Sequence, residues 1–220
     1  MMVMRLKLRY LLLNLNLYSS LNENTYIMTN SIALAKDILD FWFGIGKTRG
    51  KSRPEWFRKD AAFDEEIRTR FLPTYEEAAA GHLAHWQEQA HDCLALIVLL
   101  DQFPRNMFRN DARAFATDHL ALAATHLAIE KKFDLPMRPV ERQFIYLPLE
   151  HSESLADQSH SLTMFNALAA YPETRDLHLW AEKHRVIIER FGRFPHRNAA
   201  LGRESTAAEA IFLTQPGSGF

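Results

Sequence analysis

A chain of 220 residues, 47% hydrophobic and 24% charged, is long enough to close one well-buried domain and has the composition of an ordinary globular protein. Its formal net charge of −1 excludes a general nucleic-acid binder, whose affinity needs a concentrated positive face. The single cysteine, Cys93, excludes an intramolecular disulfide; inside the apolar run CLALIVLL it reads as a small core residue, and a reducing, cytoplasmic setting is expected.

Residues 1–27 differ from the rest. MMVMRLKLRYLLLNLNLYSS opens with basic residues and leucines, but Asn14 and Asn16 interrupt the apolar part and no A-x-A site follows. The stretch is too short for a membrane span, so none is expected, and it reads as a disordered leader or as a mis-assigned start upstream of Met28. From Met28 the periodicity is helical. Ala35, Ile38, Leu39 and Trp42 form a stripe at i, i+3, i+4, i+7 that Gly44 ends. A polar loop runs to about Pro54, and FDEEIRTRF begins a second helix that Pro73 should kink or end. YEEAAAGHLAHW and DCLALIVLLDQF predict the next pair, the latter apolar on all sides and therefore central. DARAFATDHLALAATHLAIEKKF predicts one long helix. Pro139 fits the first position of a short helix, and Pro148 the first position of another through LEHSESLADQSHSLTMFNALAA. Pro172 opens the segment with ETRDLHLWAEKHRVIIERF, and Thr206 with Glu209 predicts a capping box on a final short helix. The expectation is a single all-α domain over 28–213, followed by a flexible tail at 214–220.

Five spaced motifs, FWFG, LLDQFPRNMFR, AFATD, YLPLEHSESLADQ and RFGRFPHRNAALGREST, resemble the mostly bacterial family catalogued as domain of unknown function 924, from about Ile38 to about Leu213. The resemblance implies a fold similar to tetratricopeptide-repeat proteins, with antiparallel helix pairs stacked into an α-α superhelix, and it implies no activity. The chain lacks a clear 34-residue period, so the comparison concerns fold and carries no peptide-binding function.

Three motifs hold candidate chemistry. Asp101 follows Leu94 by seven positions, within roughly 20° around a helix, and stands beside Ile97 and Val98, so it points at the core. Read as a carboxylate near a helix C-terminus, it is opposed by the macrodipole and calls for a cation or several donors. Arg105 and Arg197 are the available cations, since FPHRN at 194–198 repeats the FPRN of 103–106. A polar joint between helix ends stands ahead of catalysis. In LEHSESLADQ, Glu150, Glu153 and Asp157 at i, i+3, i+7 are expected on one helical face, able to orient water, bind a divalent cation or receive an arginine. Placed just after Pro148 they equally suit a helix N-terminus. His151 falls on another stripe, as a partly buried histidine. GRFPHRNAALGR offers Arg193, His196, Arg197 and Arg203 to a carboxylate or phosphate, beside the amides of the Thr206-capped helix.

Histidine spacing and the absence of CxxC, HExxH, P-loop and G-x-S-x-G patterns point to no metal and no cofactor. The expected function is binding of a small anionic or zwitterionic ligand by Asp101, Arg105, Asn106, Glu150, His151, Glu153, Asp157, His196, Arg197, Asn198 and Arg203. A pocket exists only if the three motifs converge around solvent. A hydrolase-like enzyme is the alternative, with Glu150 or Asp101 as base, His151 as acid or orienting group, and Arg105 or Arg197 stabilising negative charge. A third is a scaffold that takes a protein partner in an apolar groove.

Overall fold

The structure, a computed structural model, describes residues 32–219; the leader at 1–27 and the start at Met28 lie outside the described residues. Within them every regular element is helical and no strand occurs. The α-helices are α1 (Ala35–Phe43), α2 (Ala61–Ala79), α3 (Ala90–Ile97), α4 (Phe103–Met107), α5 (Asp118–Glu130), α6 (Pro139–His151), α7 (Leu155–Leu168), α8 (His178–Phe191) and α9 (Ala207–Leu213).

The predicted α1 stripe is buried: Ile38, Leu39 and Trp42 face inward together with Phe43, and Gly44 ends the helix at φ +77°. Trp42 stands 5.5 Å from Phe103 and 5.6 Å from Phe144, ring centre to ring centre, so α1 is locked to α4 and α6 by aromatic contact. α3 is the central helix, with Cys93, Leu94, Ala95, Leu96 and Ile97 all buried. Consecutive helices pack on one another, α6 on α7 and α7 on α8. Ile187, Ile188 and Phe194 form a smaller cluster that Phe191 and Phe212 cover.

Two prolines stand inside helices: Pro73 does not end its helix, and Pro148 does not open one as expected. Pro73 lies inside an unbroken α2, started by Asp60, whose carboxylate accepts from the amides of Ala62 and Phe63. Pro148 does not open a helix but sits in the last turn of α6, amid buried Phe144, Ile145, Tyr146, Leu147 and Leu149. The burial of that run offsets the roughly 3 kcal/mol a helical proline costs. The next helix starts instead after Ser154, whose hydroxyl accepts from the amide of Asp157, the N-cap signal that Pro148 obscured. The predicted long helix from 111 is also shorter: Asp111 caps a 3₁₀ turn at Ala112–Phe115, and α5 begins at Asp118. The capping box of Thr206 and Glu209 on α9 forms as expected.

A further departure shapes the candidate site. α3 does not stop at Asp101; it runs through one π-helical turn, Val98–Gln102, into α4. Pro104 explains it, because proline has no N–H to give the carbonyl four residues back and its ring pushes against that carbonyl. The Leu100 carbonyl receives the Thr117 hydroxyl at 2.6 Å instead, while the Phe103 amide reaches the carbonyl of Val98. Asp101 thus sits in mid-helix, and the macrodipole argument does not apply to it.

Candidate functional site

The π turn aims Asp101 at the end of α6. Asp101 is fully buried, and its Oδ1 lies 2.8 Å from His151 Nδ1 and 3.4 Å from Arg105 Nη1. Gln102 Nε2 donates to Oδ2 at 2.6 Å. These partners overcome burial and hold the Asp101 carboxyl well below the usual carboxylate range. An ionised carboxylate only accepts, so His151 carries its proton on Nδ1, and Nε2 of the neutral ring is an acceptor. Burial and the nearby Arg105 lower the His151 pKa further. The His151 side chain retains 14% exposure, so this buried pair has an edge toward solvent.

Arg105 grips Asp118 with both ends of its fork, Nη1 to Oδ1 at 2.9 Å and Nη2 to Oδ2 at 3.1 Å. Arg197, from the loop before α9, donates to Asp118 at 3.2 Å and to the His151 carbonyl at 3.0 Å. Its guanidinium lies over the Phe115 and Phe194 rings, at 4.8 and 4.5 Å. Burial and Arg105 lower its pKa to about 10, still charged at neutral pH. Two arginines thereby face two aspartates.

Glu150 points elsewhere. Its Oε1 lies 3.2 Å from His184 Nδ1, which also donates to the Trp180 carbonyl at 2.9 Å. Burial, with the Asp101 charge adding to it, pushes the Glu150 carboxyl up to about 8, and burial drives His184 down to about 3. At neutral pH this is a pair of uncharged groups. His196 packs 5.6 Å from Phe194, ring to ring, and burial lowers it to about 4.

The remaining predicted residues pair with one another or with groups outside the centre. Glu153 is gripped bidentately by Arg203, at 2.9 and 3.1 Å, and accepts the Phe194 amide at 2.8 Å. Asn198 accepts from Arg203 and donates to Ser205, and Glu209 holds Arg193 from below. Asp157 accepts from the Ser152 hydroxyl at 2.8 Å and faces His126 at 3.2 Å. Asn106 lies apart, donating to Asp64 beside Arg109. Glu150, Glu153 and Asp157 do not share a helical face: the first is in α6, the second between helices, the third in the first turn of α7. Gln158 spans that break, with Nε2 at 2.6 Å from the Glu150 carbonyl and 2.7 Å from that of Ser152.

Sequence reasoning missed Asp118, Gln102, Gln158 and the partner role of His184. Asp118 has a faint signal as the acid of AFATD; His184 is buried, but its carboxyl partner lies 34 positions away and leaves no local trace. Among the described residues no group of three or more His, Cys, Asp or Glu is placed to hold a metal ion. No helix among them is long and apolar enough to cross a membrane.

A family model described as "Bacterial protein of unknown function (DUF924)" matches residues 38–217. A solved structure described as "Structure of Protein of Unknown Function ATU0120 from Agrobacterium tumefaciens" is 42% identical to this chain, with a TM-score of 0.71 over 81% of this chain and 96% of that one. No curated protein matches.

Proposed function

The chain belongs to the DUF924 family, whose description names no activity, and from its polar centre we propose a cytoplasmic protein that binds a small zwitterionic ligand at the open edge of the Asp101–His151 pair. The observation that carries the reading is that pair itself: a fully buried carboxylate fixes the ring of a histidine whose side chain keeps 14% exposure. Burying an ionised carboxylate and tying it to three partners serves no packing need that an apolar side chain would not meet, and orientation of the imidazole is what it supplies. His151, Arg105 and Asp118 are the partly exposed members of the centre, and we place the ligand against them. Two arginines balance two aspartates there, which favours a ligand with both signs over a plain anion. Arg197 holds Asp118 and the His151 carbonyl in place.

Thermal-shift titration with amino acids, short peptides and small organic acids tests this. At about 100 times its Kd a true ligand adds about 2.7 kcal/mol; the expected outcome is a rise in Tm with a zwitterion that His151→Ala abolishes. A rise that survives His151→Ala, or none across the panel, overturns it. A hydrolase-like reading rests on the same geometry, with Asp101 orienting His151 as general base and Arg105 stabilising negative charge, while Glu150, turned to His184, takes no part. Release of product from a peptide or ester panel, lost in His151→Ala, favours it over simple binding.

A further inference from the structure

About 15 Å from the polar centre, at the other end of α6, the loop between α1 and α2 has a different chemistry. Residues 44–59, GIGKTRGKSRPEWFRK, carry six lysines and arginines against the single acid Glu55, in a chain whose net charge is −1. Two of the three arginines turn inward: Arg49 donates to Glu141 at 2.9 Å and reaches Asp40, while Arg53 donates to the carbonyls of Phe41 and Trp42; Arg58 stays exposed, with one contact to Asp60 at 3.3 Å. Lys47, Lys51 and Lys59 are exposed and make no ion pair among the described residues.

Two apolar side chains stand among the lysines. Ile45 is 67% exposed and Phe57 64% exposed. Both are rooted in the same aromatic cluster: Ile45 follows Phe43 by two residues, Phe57 follows Trp56, and Phe43, Trp56 and Phe57 all pack on Phe144. The loop is also held in shape. Gly44 and Gly50 have positive φ, a Cβ at either would strike Thr48 or Arg138, and Arg138 donates to the Arg49 carbonyl. A fixed loop that keeps two large apolar groups in water, on the same short segment as three exposed lysines, is costly without something to cover it.

We propose that this loop docks the protein on the surface of an anionic phospholipid bilayer, with Ile45 and Phe57 entering the headgroup boundary and Lys47, Lys51 and Lys59 lying against the lipid phosphates. The charge complementarity is that of a bilayer rather than of a nucleic acid. The guanidinium forks of Arg49 and Arg53 are spent on the protein's own carbonyls and carboxylates, which leaves Arg58 as the one exposed fork of the loop, whereas the three lysines act as point charges toward a diffuse negative surface. Exposed Ile and Phe gain from burial among acyl chains and gain nothing from a polyanion in water.

Co-sedimentation of the full chain with vesicles of phosphatidylcholine plus phosphatidylglycerol, and of phosphatidylcholine alone, tests the proposal. Binding is expected only to the anionic vesicles. Lys47→Glu with Lys51→Glu should lower the partition coefficient by at least about 20-fold, and Ile45→Ser with Phe57→Ser should lower it by a comparable factor. The lysine pair is exposed and unpaired, so its Tm should match the parent and keep the test independent of folding. Binding that is absent, or unchanged in both double variants, overturns the proposal. Binding lost in the lysine pair, unchanged in the apolar pair and displaced by single-stranded RNA also overturns it, in favour of a nucleic-acid partner.

Discussion

Asp101 concentrates the energetics of the polar centre in one side chain. Replacement by Ala leaves Arg105 short of a counter-charge and strands His151 Nδ1–H and the Gln102 amide in a dry site, so Asp101→Ala is expected to cost about 3–5 kcal/mol in urea denaturation. Asp101→Asn keeps the shape and one acceptor for His151, and should cost clearly less; equal losses would mean that the negative charge is what holds the centre. Glu150 gives the opposite sign. Its folded pKa of about 8 lies above the unfolded value near about 4.3, so from about pH 5 to pH 8 the folded state keeps a proton that the unfolded chain has released. Stability from this group is therefore full below pH 4 and is lost as pH rises through that window. Glu150→Gln cannot ionise, and relative to wild type it should gain on the order of 3 kcal/mol between pH 5 and pH 9. Parallel pH–stability curves for the two proteins would show Glu150 ionised in the folded state.

Among the elements, the π turn is what converts a core helix into a carrier of polar groups. It exists because Pro104 withholds a donor from Leu100, and Thr117 supplies the replacement from the turn before α5. Thr117→Val should then cost about 1–3 kcal/mol, the penalty for a buried carbonyl left without a donor. In a Pro104→Ala background the restored N–H serves Leu100, so the same substitution should cost less. A double-mutant cycle by chemical denaturation reads this coupling, and a cycle with no interaction energy would detach the π turn from the proline. Gln158 has a comparable role at the break between α6 and α7, where a single amide serves neighbouring carbonyls that Ser152 and the kinked chain leave open.

For the whole molecule, the core of α1, α3, α4 and α6 closes around Trp42, Phe103 and Phe144 from residues after 34. The first described tie before that is the Ala33 amide on the Thr74 hydroxyl at 2.7 Å. Deletion of residues 1–27 is therefore expected to shift Tm by no more than about 2 °C, less than the change about 1 kcal/mol produces in a domain of this size. A larger fall in a thermal melt would assign the leader a packing role.

The sequence by itself determined the helical class, the buried stripe of α1, the central position of α3, the inward direction of Asp101 and the capping box of α9. All follow from relations between residues a few positions apart, where the helical period and backbone donors decide the outcome. It also picked out Asp101, Arg105, His151 and Arg197 as polar residues that needed partners. The pairing was decided only by tertiary structure: His151 reaches Asp101 across 50 positions, Arg197 reaches Asp118 across 79, and Glu150 turns to His184 instead of to its neighbours. Local rules also misplaced the α6 to α7 boundary, because the burial of Phe144 to Leu149 outweighed the cost of Pro148 within a helix. That shift moved Glu150 from a supposed helix start, where its charge would be favoured, to a dry helix end, where burial keeps it protonated.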